Sequence, residues 1–70
     1  MLKNVKSGLA KRLLRSVEAA DYLGVSVWTV RRLIQSGELP VIQCGEGGKF
    51  LVDIRDLDGF IERNKKTIVL

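Results

Sequence analysis

Two adjacent arginines, Arg31 and Arg32, stand in the run Val27-Trp28-Thr29-Val30-Arg31-Arg32-Leu33-Ile34-Gln35. Their planar forks of N–H donors suit phosphate oxygens or the O6 and N7 edge of guanine. At helical spacing Val30, Leu33 and Ile34 fall on one side, while Val27, Trp28, Arg31, Arg32 and Gln35 fall mostly on the other. That outer set has the chemistry of a surface that meets nucleic acid. Gln35 can pair with adenine or with backbone, and Trp28 offers a ring for sugar or a thymine methyl with an indole N–H for phosphate. Thr29, near the start of the run, can place its hydroxyl on a phosphate beside free backbone amides. Each residue also has a structural alternative: a solvated face for the arginines and Gln35, a fold back onto the core for Trp28, and local bonding within the first turn for Thr29.

Other chemistry has little to stand on. The chain has one cysteine, Cys44, and no histidine. No internal disulfide can form, the usual zinc ligand sets cannot be assembled, and the commonest general base is missing. Cys44 reads as an ordinary strand residue. The expectation is a protein that is not an enzyme and needs no cofactor or metal.

The net charge of +4 is unevenly spread over the 70 residues. Lys3, Lys6, Lys11, Arg12 and Arg15 crowd the first fifteen positions with no acid among them, which favours a polyanionic partner. Lys11, Arg12 and Arg15 are candidates to track phosphate or enter a neighbouring minor groove, as basic arms do. No apolar run approaches the roughly 20 residues of a membrane span, and residues 1–6 lack a signal-peptide block. The expected location is the cytoplasm, with no membrane partner.

The elements that must position these groups follow from punctuation and period. Residues 1–12 read as a mobile basic arm, 13–64 as the folded domain, and 65–70 as a frayed tail. Leu13-Leu14 lead the chain toward the core. Ser16 is the expected cap of a first helix in which Ala19, Ala20 and Leu23 form the apolar stripe, and Gly24 ends it. Tyr22 near that end is placed for half-burial or a backbone contact. Ser26 caps the second helix, which Ser36-Gly37 ends and Leu39-Pro40 keeps from resuming. Residues 41–44 and 49–52 read as a hairpin around the Gly-Glu-Gly-Gly link, with Lys49 its one base. Asp53 caps a last helix whose Ile54, Leu57, Phe60 and Ile61 face the others. The fold class expected is mostly α with a small β-hairpin: two helices joined by a tight turn, then a wing, then a third helix. A helix-turn-helix presents its second helix to the DNA major groove in this way.

The stretch E-A-A-D-Y-L-G-V-S-V-W-T-V-R-R-L-I-Q-S-G-E-L-P, Glu18 to Pro40, resembles the pattern E-A-A-x-x-L-x-V-S-x-x-T-V-x-R-x-I-x-x-G-x-L-P of excisionase-type winged helix-turn-helix proteins, relatives of the MerR DNA-binding domain. The resemblance extends over about residues 13–63. It implies a winged helix-turn-helix that binds duplex DNA, with the second helix in the major groove and the wing near the minor groove or backbone. Arg32 falls on the family's arginine and Thr29 on its threonine. The chain departs from the pattern in carrying Val27-Trp28 where polar or basic residues are common, and a wing with Lys49 set against Glu46.

The function expected from these readings is that of an excisionase-like accessory factor. It would bind duplex DNA beside a site-specific recombinase (an integrase), with copies associating cooperatively on DNA. The DNA-contact set is Val27, Trp28, Thr29, Arg31, Arg32, Gln35, Lys49, Arg12 and Arg15. A small transcriptional regulator would use the same contacts. A protein-interaction module that has lost DNA binding would instead use Trp28 with Val27 as an apolar anchor.

Overall fold

The computed structural model describes residues 11–69 except Glu46 and Gly48. Most of the arm expected over residues 1–12 therefore lies outside the described residues, as do the hairpin's Glu46 and Leu70. The chain runs β1 (Leu13–Leu14), α1 (Ser16–Leu23), α2 (Val27–Gln35), β2 (Ile42–Cys44), β3 (Lys49–Asp53) and α3 (Ile54–Asn64). Three helices and a three-stranded antiparallel sheet of order β1-β3-β2 make a winged helix-turn-helix.

The expected hairpin forms, with Ile42 opposite Leu51, Gln43 opposite Phe50 and Cys44 opposite Lys49. A third strand was not expected. Leu13 pairs with Asp53 and Leu14 with Val52, so the segment read as a lead-in is an edge of the sheet. Two residues are too few to show a strand period. Pairing there also shifts the start of α1. The chain stays extended through Arg15, which takes the cap position, and Ser16 becomes the first helical residue and not the cap. An arginine side chain has no acceptor to offer the first turn. Glu18 supplies half of a capping arrangement, its carboxylate accepting from the Arg15 N–H at 2.9 Å.

The core comprises Leu14, Ala19, Ala20, Val30, Leu39, Val52 and Leu57, all buried, with Leu23, Val27, Leu33, Ile34, Val41, Ile54 and Phe60 packed around it. Ala19 and Ala20 present almost no side chain, so α2 approaches α1 closely and Val30 is sealed between elements. Leu39 is the unforeseen member. Gly37 takes a positive φ of 84°, and the Leu39 N–H reaches back to the Leu33 carbonyl at 3.2 Å. The turn drops Leu39 against the helix it has just left, a hydrophobic contact common at helix C-termini.

Asp53 joins sheet to helix. Its carboxylate accepts from the Arg55 N–H at 2.9 Å, capping α3 as expected. It also accepts from the Arg12 guanidinium at 3.0 and 3.2 Å, while the Arg12 carbonyl accepts from the Ile54 N–H at 2.8 Å. The Arg12 guanidinium, and next the Arg55 amide, hold the Asp53 carboxyl below the usual carboxylate range. Lys11, and next the Arg15 amide, do the same to Glu18.

Unfolded, both carboxyls take up protons as pH falls through about 4, while their folded counterparts resist until lower pH. The stability they contribute is therefore complete above that range and lost as pH falls through it toward the folded values. Urea midpoints should drop between about pH 5 and pH 3, and Asp53→Asn should flatten that drop. Solvent screens the Glu18 pairs, so the larger share belongs to Asp53. An unchanged pH slope in Asp53→Asn would refute the assignment.

Candidate nucleic-acid interface

The turn between α1 and α2 is built from backbone. Gly24 adopts φ 74° and ψ 31°, a left-handed conformation that glycine enters without a Cβ penalty. The Val25 N–H then reaches the Ala20 carbonyl at 2.9 Å, closing α1. Ser26 follows at once as the cap of α2, its hydroxyl accepting from the Thr29 N–H at 3.1 Å. Ser26→Ala should cost about 1 kcal/mol of stability, read as a lower urea midpoint with an unchanged slope. The Thr29 hydroxyl sits 3.0 Å from that of Ser26, so of its two expected roles the local one is occupied.

With Val30, Leu33 and Ile34 turned inward, α2 exposes Trp28, Arg31, Arg32 and Gln35 on one face. Trp28 remains 67% exposed and does not fold back onto the core. Val27 departs from the expected outer set: it is half-buried and packs against the core. Two turns before Ile34 and only about 20° from it in projection, it flanks the buried stripe.

Arg31, Ile34 and Gln35 line a groove of about 320 Å³ with Ser16 of α1 and Phe50 of β3. Ser16 and Phe50 continue into a second hollow shared with Arg15, Val17, Lys49 and Leu51. The start of α1, the outer face of α2 and the hairpin thus form one concave side. It gathers Arg31, Gln35, Lys49 and Arg15, with Arg32 and Trp28 beside it on α2. Phe50, 46% exposed, was not singled out from the sequence. It shares a face of β3 with buried Val52, and because Phe50-Leu51-Val52 is an unbroken apolar run, no alternation in the sequence marks which side it faces.

Arg12 and Lys11 are held elsewhere. Arg12 is spent on Asp53, and the Lys11 ammonium lies 2.7 Å from Glu18. Arg15 is 3.9 Å from the same carboxylate and largely exposed. Arg31 and Arg32 have no carboxylate partner among the described residues. The Arg32 guanidinium instead lies over the Trp28 ring, 5.0 Å from its centroid. Tyr22, by contrast, donates its hydroxyl to Asp58 at 2.6 Å and ties α1 to α3; that bond to the carboxylate pushes the phenol pKa up.

Among the described residues no three acidic or cysteine side chains gather as a metal site, and no helix is long and apolar enough to cross a membrane. No curated protein matches this sequence. A family model described as a helix-turn-helix domain matches residues 13–65, from β1 to just past α3. Tight turn, exposed arginine helix and hairpin all fall within that match, and the chain belongs to the helix-turn-helix domain family, a DNA-binding fold.

Proposed function

We propose that this protein binds duplex DNA in a sequence-directed manner, with α2 in the major groove and the hairpin on the backbone or in the minor groove, as an excisionase-like accessory factor for site-specific recombination. The observation that carries the reading is the sorting of positive charge. Lys11 and Arg12 are satisfied by carboxylates, whereas Arg31 and Arg32 project from the exposed face of the second helix with no carboxylate partner among the described residues. In this reading Arg31 and Arg32 meet phosphate or base edges, Gln35 meets adenine or backbone, and Lys49 and Arg15 meet phosphate across the concave side. Trp28 adds apolar contact. Thr29 acts mainly through the cap it makes with Ser26, Val27 through the core, and Arg12 by anchoring the start of β1.

A domain this small reads few base pairs, so several copies binding side by side, with an integrase as partner, would supply the selectivity one copy lacks. A transcriptional regulator would use the same contacts. A protein-interaction module draws on a different observation, the exposed Trp28. The reading places the protein in the cytoplasm, where its DNA is.

The test uses Trp28, the one tryptophan of the chain. Duplex DNA flanking the protein's own coding region is titrated while tryptophan fluorescence is followed across salt concentrations, beside a scrambled duplex. A saturable change favouring the native duplex, with affinity falling steeply as salt rises, is the expected result. Equal weak responses to both duplexes would overturn sequence direction. No binding by fluorescence or by gel shift would move the reading to a protein partner.

A further inference from the structure

We infer that Trp28 is a positioning residue for Arg32, and that the stacked pair reads a guanine as a unit while Arg31 grips the backbone. The inference rests on the DNA-binding reading above and divides the labour within it. Arg32 lies four positions after Trp28, one helical turn on, with its guanidinium over the indole ring at 5.0 Å from the centroid. Both side chains face solvent and neither belongs to the core, so this stack does not hold the fold together.

Stacking covers one flat face of the guanidinium and leaves its edge, with the N–H donors, open. An arginine loses much rotamer freedom when it docks; one already laid on a ring has lost part of it beforehand. No carboxylate lies within ion-pair distance of those donors among the described residues, and the nearby Glu38 carboxylate accepts from the Ser36 hydroxyl. A pre-aimed edge with two parallel donors matches the O6 and N7 acceptors of guanine.

Arg31 has a different setting. It lines the groove shared with Ser16, the first residue of α1, and with Phe50 of the hairpin. Arg31 thus faces the side shared by the start of α1 and the wing, where Arg15 and Lys49 line the adjoining hollow, and cations grouped in this way meet backbone phosphate. Arg32 lines a separate hollow with Thr29, Leu33, Gln35, Ser36 and Glu38, away from α1 and the wing. An arginine fixed by a platform gains most where the angle of approach matters: a base edge offers its two acceptors in one fixed plane, whereas a phosphate can be met from many directions.

The test begins with a pool of random duplexes from which the wild-type protein enriches a preferred sequence. Affinity is then measured by anisotropy for that duplex and for versions with each guanine replaced by adenine or by 7-deazaguanine, which lacks the N7 acceptor. Wild type should discriminate against the change at one guanine by about tenfold or more. Trp28→Ala should reduce that discrimination about fivefold without altering the salt slope, and Trp28→Phe should keep most of it. Arg32→Lys should lose the discrimination and retain the slope. The proposal is overturned if Trp28→Ala weakens both duplexes equally, or if Arg32→Ala lowers the salt slope by about one while guanine discrimination survives. If wild type enriches no sequence and binds no duplex, the DNA-binding reading itself has failed, which is visible before any variant is made.

Discussion

Replacing Arg31 and Arg32 together with alanine is expected to weaken duplex binding about 100-fold or more, with the helical circular dichroism unchanged. A bidentate arginine contact to guanine is worth about 1–3 kcal/mol and a hydrogen-bonded arginine–phosphate contact about 1.5–3 kcal/mol, and each 1.4 kcal/mol is tenfold in affinity. Losing two such contacts outweighs anything that Lys49 or Gln35 supplies singly. The fold should not notice, because both side chains are exposed and neither is ion-paired among the described residues. Anisotropy titrations at several salt concentrations check the prediction. A loss below about threefold would mean that α2 is not the element in contact with DNA. If the protein instead holds a partner through Trp28, the double variant should bind that partner as before.

The second large effect is on stability. Leu57→Ala should shift the urea midpoint down by at least 1 M and leave a substantial unfolded population in water. Leu57 is fully buried where α3 meets the rest of the domain. Truncating such a leucine costs about 2–5 kcal/mol, because the neighbours relax only partly into the void. Against that stands a total stability of roughly 4–10 kcal/mol for a chain of this length. One side chain can therefore take most of the margin. Urea titration followed by circular dichroism gives the answer, and a midpoint within about 0.3 M of wild type would show that Leu57 is not a core residue.

The helices were legible because their signals are local. Gly24 and Ser26 announce the end of α1 and the start of α2 by backbone geometry and side-chain chemistry confined to a few residues. The stripe of Val30, Leu33 and Ile34 repeats at the helical period. What escaped depended on partners far along the chain. Leu13-Leu14 is a strand only because Val52 and Asp53 lie opposite it. Ser16 lost its capping place to Arg15 for the same reason. Arg12 and Lys11 looked free in a list of charges, yet Asp53 and Glu18 claim them once the chain folds. Within the candidate site, Val27 showed its ambiguity at the border of the helix stripe. The spacing of four puts Arg32 and Trp28 on one helix face, but the stack itself depends on side-chain rotamers, which spacing does not fix.

The two-residue strand β1 also says something about how the molecule assembles. Arg12 and Asp53 are 41 positions apart, whereas the helical turn and the hairpin close over short stretches of chain. Closing the longer loop carries the greater entropy cost and is repaid only once β3 and α3 offer a surface to close upon. The turn of helices and the wing can form first, and β1 then fastens the beginning of the domain to its last third. The same seam is the natural place for the native protein to open. Hydrogen exchange at Leu13 and Leu14 would report brief unlatching in which α2 and the wing stay folded, so the concave side can outlast the strand that closes the domain.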